Sequence, residues 1–257
     1  MGININDLIT PLLSLWLPFV RILAFLKFCP MLEHRAFPMK ARVGLALLLS
    51  IVITPMLNNN VVLRELLTVQ TLLLTGEQIL WGFLFGQMMW WVFWALQTAG
   101  TVLSMNMGLG MAVMNDPGTG TSTMVIAQII YIFSGLLFFS MDGHLLVVTI
   151  LHKSFSYWPI GQAINDLTLN TLVTGFGWLL AAALLIAMPT IFIMLLVQGV
   201  FGLLNKVSPT LNLFSLGFPI SMLFGLLCFA FLNTTIPDHY LRLTNEVLAI
   251  FDRLRVA

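Results

Sequence analysis

An all-α integral membrane protein is the fold class that three observations predict. Of 257 residues, 59% are hydrophobic and only 8% charged, against about 25% charged in a soluble domain. Mean hydropathy is +0.99. The charges are also widely spaced, with none, and no histidine, between Glu77 and Asp116, between Asp166 and Lys206, or between Lys206 and Asp238. Such runs suit helical spans of about 20 residues.

The same composition excludes other classes. Eleven Lys+Arg against ten Asp+Glu give a net charge of +1, too little basic field to attract nucleic acid. Cys29 and Cys228 sit far apart inside apolar runs, so buried free thiols are expected rather than a disulfide. The start MGININDLITP has no Lys or Arg ahead of its apolar run, and Asn6 stands where a myristoylation motif has Ser or Thr. Neither a cleaved secretory signal nor myristoylation is expected.

The first apolar block, about Leu12 to Leu32, contains Arg21 and Lys27. A charge near the middle of a lipid-facing helix costs roughly 2.5 to 3.5 kcal/mol, so Arg21 is expected to face protein, water or a carboxylate. Pro18 is expected to kink or restart the helix. Glu33, His34 and Arg35, then Lys40 and Arg42, make with Lys27 the densest basic cluster, which favours the cytoplasmic side. Val43 to Leu57 is short for a full span and ends at Pro55 and the run Asn58 to Asn60. The block from Val61 carries Arg64 and Glu65 and reaches Gly76 and Glu77. Charge again falls where lipid penalises it.

Ile79 to Val113 is too long for one ordinary span. It either crosses twice or forms one very long helix, with Gly100 the expected change of element. Gly82 and Gly86 have small-xxx-small spacing, which lets helix backbones approach closely. Trp81, Trp90, Trp91 and Trp94 are too clustered to mark two membrane interfaces, and close packing against protein is the economical reading.

From Ser104 to Thr123 the sequence changes character: SMNMGLGMAVMNDPGTGTST. Met107, Met111 and Met114 would share one face if a helix formed. Gly108 and Gly110 oppose that helix, each costing about 1 kcal/mol relative to Ala, and AsnAspProGlyThrGly signals a turn. The result is a loose, thioether-lined strip. Methionine is also common core filler and the chain has 15, so spacing alone favours ordinary packing.

Met124 to Met141 just suffices for a span and is followed by Asp142, Gly143 and His144. Asp142 and His144 point to different sides of a helix, and His152 supplies no third ligand, so a polar kink is expected rather than a metal site. SFSYWPIG at 154–161 reads as a turn at a membrane boundary with its aromatics at the interface. Pro189 is expected to divide the next uncharged run, Gly217 and Pro219 to weaken the start of the last, and Lys206, with Ser208 and Pro209, to mark the turn of a helical hairpin. In the tail, Leu241, Val247, Leu248, Phe251 and Leu254 recur opposite Arg242, Glu246, Asp252, Arg253 and Arg255. That pattern is an amphipathic helix with Asp238 in capping position, lying in the headgroup layer or docking on a partner. Arg253 and Arg255 favour a cytoplasmic C-terminus, while Lys206 competes for that side.

No GxSxG, HExxH, Walker A or GxGxxG occurs, and the carboxylates are scattered. No catalytic residue, cofactor or metal ligand is assigned.

Four stretches carry a resemblance that composition does not supply: MNDPGTG at 114–120, FSMDGHLL at 139–146, SF and PIG within 154–161, and GLLNKVSPTLNLFSLGFP at 202–219. Together they resemble the FliR family of flagellar biosynthetic proteins over nearly the whole chain. Lys206 stands where that family usually has Arg, and Thr210 where it has Gln; Lys lacks the bidentate geometry of Arg.

The resemblance implies an export-gate subunit of the flagellar type III secretion apparatus, in the bacterial inner membrane within the basal body. It implies tilted helical hairpins, about 1–165 FliP-like and about 166–257 FliQ-like, closing a helical FliP and FliQ assembly beside FlhB and FlhA. Unfolded flagellar proteins would be the cargo. A pore plug is implied on Met105, Met107, Gly108, Gly110, Met111, Met114, Asn115, Asp116 and Pro117. Arg21, Arg64, Glu65 and Glu77 become intramembrane or inter-subunit charges, with Arg21 and Glu77 pairing with each other or with other subunits. Lys206, Pro209, Asn212 and Phe214 become hairpin-turn or partner-contact candidates. The nearest alternative is the corresponding subunit of a virulence type III secretion system, and a more distant one is a small polytopic solute permease.

Overall fold

The computed structural model describes residues 5–30, 38–57, 68–111, 113–115, 122–162, 166–207 and 213–254. Seven α-helices dominate them: α1 (Ile5–Phe28), α2 (Met39–Ile53), α3 (Val69–Asn106), α4 (Val125–Ser140), α5 (Gly143–Tyr157), α6 (Asp166–Val207) and α7 (Leu213–Arg253). Between α3 and α4 lie β1 (Val113–Asn115) and β2 (Ser122–Met124), an antiparallel pair. Among the described residues, Met39–Met56, Val69–Asn106, Asn170–Leu204 and Gly217–Arg253 are long and apolar enough to cross a membrane, and α4 with α5 would make a fifth span. The fold is that of an all-α integral membrane protein.

Several expected breaks are absent. α3 passes Gly100 without interruption, and its 38 residues extend about 57 Å at 1.5 Å per residue. Gly100 has a packing role instead: a side chain there would meet the Ala127 Cα at 2.9 Å and the Ile130 Cδ1 at 2.8 Å, so the glycine is what lets α4 close on α3. α1 likewise continues across Pro18, α6 across Pro189, and α7 across Gly217, Pro219 and Pro237. Membrane helices tolerate proline because neighbouring groups re-satisfy the freed backbone. Asp238 is therefore interior to α7 and caps nothing; the amphipathic tail is the end of a 41-residue helix.

Other expected breaks are present. α4 and α5 part at Met141 and Asp142, where Asp142 takes a left-handed φ of 56° and its carbonyl accepts from the Leu145 and Leu146 amides. α6 ends at Val207 and α7 begins at Leu213, so Lys206 stands in the last turn before a helix–helix connection. A cation there complements the partial negative charge of the helix C-terminus. Cys29 and Cys228 are free and buried.

Contacts divide the chain into two compact units. The first comprises Met1–Trp90, Asp142–Leu172 and Leu248–Ala257. Its centre is aromatic: Trp81 packs on Trp158 with ring centroids 4.1 Å apart, and Phe85 stacks on Phe251 at 5.6 Å. Leu13, Leu17 and Ile160 form a smaller cluster edged by Leu74. Gly82 lies against the Arg21 carbonyl and Ala24, and Gly86 against Phe25 and Phe28, so the small-xxx-small pair does bring α1 and α3 together. Phe155, Tyr157 and Trp158 are buried in this unit, correcting the expectation that they mark a membrane interface. The reason is α5 itself, whose inward face turns them onto α1 and α3.

The second unit comprises Trp91–Met141 and Val173–Val247. Phe93 sits among Tyr131, Phe138 and Tyr240, with centroids 6.1 to 6.2 Å away. Of the tail's expected apolar positions, Val247, Phe251 and Leu254 are buried and Leu248 half-buried, while Leu241 is exposed; Tyr240 and Leu243 are buried as well. Glu246 on its polar side accepts from the Trp178 indole at 2.5 Å.

Candidate functional site

The strip after α3 takes its shape from a glycine. Regular α-helix stops at Asn106, and the Met107 amide still bonds back to Leu103, at 3.0 Å. Gly108 then takes φ +77° and donates to the Met105 carbonyl at 3.0 Å. Left-handed backbone of this kind costs other residues roughly 1 to 2 kcal/mol. One 3-10 turn follows at Leu109–Met111, and then β1 pairs with β2 in the register Val113↔Met124, Met114↔Thr123 and Asn115↔Ser122. The AsnAspPro turn signal is thus bracketed by a hairpin, although Asp116 and Pro117 lie outside the described residues.

Met107, Met111 and Met114 do not share a helical face, because they occupy a turn, a 3-10 turn and a strand. Met105 is exposed while Met107 is fully buried. The two glycines differ as well. Gly108 needs its left-handed φ, whereas Gly110 has open space where a side chain would go and no positive φ.

Three groups of the same unit hold the base of the strip. Met107 packs into the space beside Gly225 of α7, where any Cβ would collide with the Met107 side chain. The Phe218 ring covers Gly108 closely enough that a Cβ there would sit at 3.1 Å from it. Gln198 of α6 donates from Nε2 to the Asn106 carbonyl at 3.0 Å, satisfying one of the acceptors that the end of α3 leaves open. None of Gln198, Phe218 and Gly225 is marked by local spacing. A glycine inside the apolar run of α7, which permits close approach, is the signal that could have found Gly225.

The intramembrane charges resolve differently. Arg21 is buried and donates from Nε to Gln78 Oε1 at 2.7 Å, and from Nη1 to the carbonyls of Ser154 at 3.0 Å and Trp158 at 2.8 Å. Its guanidinium lies 4.5 Å from the centre of the Phe155 ring. Of the alternatives, Arg21 therefore faces protein, and it caps the C-terminus of α5 with a cation where the helix dipole favours one. Glu77 interacts with Arg21 electrostatically and accepts from the Gly161 amide, while the direct side-chain partner of Arg21 is Gln78. α5 is held further by Asp252 near the end of α7, which accepts from the Tyr157 hydroxyl and pairs with Lys153 at 3.7 Å.

Arg64, Glu65, Pro209 and Asn212 lie outside the described residues. Phe214 is in the first turn of α7, and Lys206 is exposed at the end of α6. The structure thus gathers Met107 and Gly108 with supports on α6 and α7, and Arg21 and Glu77 with α5. It does not bring the strip and Lys206 into one described cluster. Among its described residues the strip offers no titratable acid or base; an apolar element anchored at its base is suited to covering and uncovering a surface.

Residues 12–247 match the family described as Bacterial export proteins, family 1. The flagellar biosynthetic protein FliR of Pectobacterium carotovorum subsp. carotovorum is 32% identical over 95% of this chain and 93% of its own length. That of Escherichia coli strain K12 is 31% identical over 90% and 88%. The Yop proteins translocation protein T of Yersinia pestis is 28% identical over 84% of each.

Proposed function

Because this chain belongs to the bacterial export proteins, family 1, and is therefore a membrane component of a type III secretion export apparatus, we propose that it is the pore-forming gate subunit of the flagellar version. In this reading it closes a helical assembly of FliP and FliQ copies in the bacterial inner membrane, at the flagellar basal body, with FlhB and FlhA nearby. In the same reading about 1–165 is FliP-like and about 166–257 FliQ-like. Unfolded flagellar proteins pass through the channel, and the strip from Met105 to Pro117 plugs it at rest.

The observation that carries the plug is the contrast at the end of α3. A buried Met107 is followed at once by a left-handed Gly108 and an apolar segment containing Gly110 and Met111. A fixed base with a short apolar flap is what a reversible seal requires. The buried arginine supports the rest, since Arg21 takes its partners inside the protein and leaves long apolar helix faces for neighbouring subunits or lipid.

Deleting residues 108–111 in the assembled gate is expected to raise small-molecule leakage across the membrane. Unchanged leakage in a gate that still assembles sinks the plug role. Native mass spectrometry after coexpression with FliP and FliQ tests the assembly, which is expected to contain all three chains. A second reading, the equivalent subunit of a virulence secretion system, is favoured by the 28% identity with Yop proteins translocation protein T. Gene deletion separates the two: loss of motility with effector injection intact supports the flagellar assignment.

A further inference from the structure

We propose that Gly225 forms a notch in α7 that clasps Met107, and that this clasp, with Gly108 in its left-handed turn beneath Phe218, sets the closed position of the plug and is released when the plug opens. The inference rests on the plug reading and adds the element that regulates it.

The clasp is built by subtraction of a side chain. A Cβ at Gly225 would fall on Met107 Cγ and lie 2.8 Å from its Sδ, so the methionine occupies space that exists only because residue 225 has no side chain. Met107 is fully buried there. Gly199 of α6 and Gly217 of α7 have open space in the same position, so the fit at Gly225 is particular to that site.

The clasp is also built to let go. Methionine is unbranched and deformable, so it withdraws from a notch without breaking any directional bond. The side-chain polar tie at the base, among the described residues, is the Gln198 to Asn106 hydrogen bond. Beside it, Ser104 Oγ and Asn106 Nδ2 are buried without a hydrogen-bond partner among the described residues. Leaving such groups unpaired is costly, which lowers the barrier against moving this turn to a state that solvates them.

The test uses the full assembled gate, with ion leakage and protein export measured together. Gly225→Val fills the notch and Met107→Ala empties it; both are expected to raise leakage. Gly108→Ala opposes the left-handed turn and is expected to raise leakage roughly tenfold, the equivalent of about 1.4 kcal/mol. Gly199→Ala, on the open side of α6, is the control and leaves leakage unchanged.

A cysteine pair tests release directly and does not depend on Gly225→Val assembling. With Cys29 and Cys228 changed to alanine, Met107→Cys with Gly225→Cys is expected to stop export when oxidised and to recover it on reduction. Normal export with the disulfide demonstrably formed overturns the clasp, because the plug then opens without releasing it. If deletion of 108–111 leaks while Gly225→Val and Met107→Ala stay tight, the clasp is overturned and the plug survives. If the deletion itself stays tight, the plug reading beneath the clasp fails too.

Discussion

Arg21 and Trp158 are 137 positions apart in the chain, yet Nη1 of the one donates to the carbonyl of the other at 2.8 Å. The same guanidinium reaches Ser154 and Gln78 and lies over the Phe155 ring. A charge that lipid would reject is therefore spent on closing the end of α5. The planar fork of Arg matters here, since one group must serve acceptors in three directions.

Replacing Arg21 is expected to cost stability by way of these partners. Arg21→Ala leaves the Trp158 carbonyl and Gln78 without their partner and should destabilise the first unit by about 2 to 4 kcal/mol. Arg21→Lys should recover only part of that, because an ammonium cannot span all three acceptors in one plane. Heating the purified assembly and following the loss of intact complex by gel filtration orders the variants. Equal survival of wild type and Arg21→Ala contradicts the capping role.

Gly82 and Gly76 make a matched pair on one helix. Gly82 lies against the α1 backbone, and a Cβ would come within 2.7 Å of the Ala24 Cβ and 3.0 Å of the Phe25 amide nitrogen, whereas Gly76 has nothing within 4 Å. Gly82→Ala must therefore force α1 and α3 apart, at about 1 to 3 kcal/mol. Gly76→Ala should be neutral or stabilising by up to about 1 kcal/mol through helix propensity. Yield of folded chain in detergent reads the difference, and a reversed order refutes the close approach of the two helices.

Asp252 joins α7 to α5 through two unequal contacts. The Tyr157 hydroxyl is the partly buried one, while the Lys153 pair is exposed on both sides. Exposed pairs contribute little, so Lys153→Ala should change stability by less than about 0.5 kcal/mol. Asp252→Ala should cost about 1 kcal/mol through the lost hydroxyl bond, and Asp252→Asn, which keeps an acceptor oxygen, less. Thermal survival of the assembly distinguishes them; an equal cost for Lys153→Ala and Asp252→Ala assigns the contact to charge rather than to Tyr157.

Much of the architecture was legible because hydropathy and turn chemistry are local. Uncharged runs located the long helices, Met141 and Asp142 located the α4–α5 break, and Gly82 with Gly86 announced a close helix pair. Gly100 and the interior prolines misled for the same reason. Read locally they look like breaks, but Gly100 marks the close approach of α4, and a proline in a membrane helix is tolerated by its neighbours.

By itself the sequence determined a membrane-embedded helical chain with a loose methionine strip and a charge inside its first apolar block. Only the tertiary structure decided that Met107 belongs to the core while Met105 does not, that Gly108 rather than Gly110 carries the special backbone, and that Arg21 answers to Gln78, Ser154 and Trp158. The physical reason is distance along the chain. Residues 57 to 137 positions apart share no periodicity, so their meeting is fixed by how helices pack and not by any pattern either segment carries.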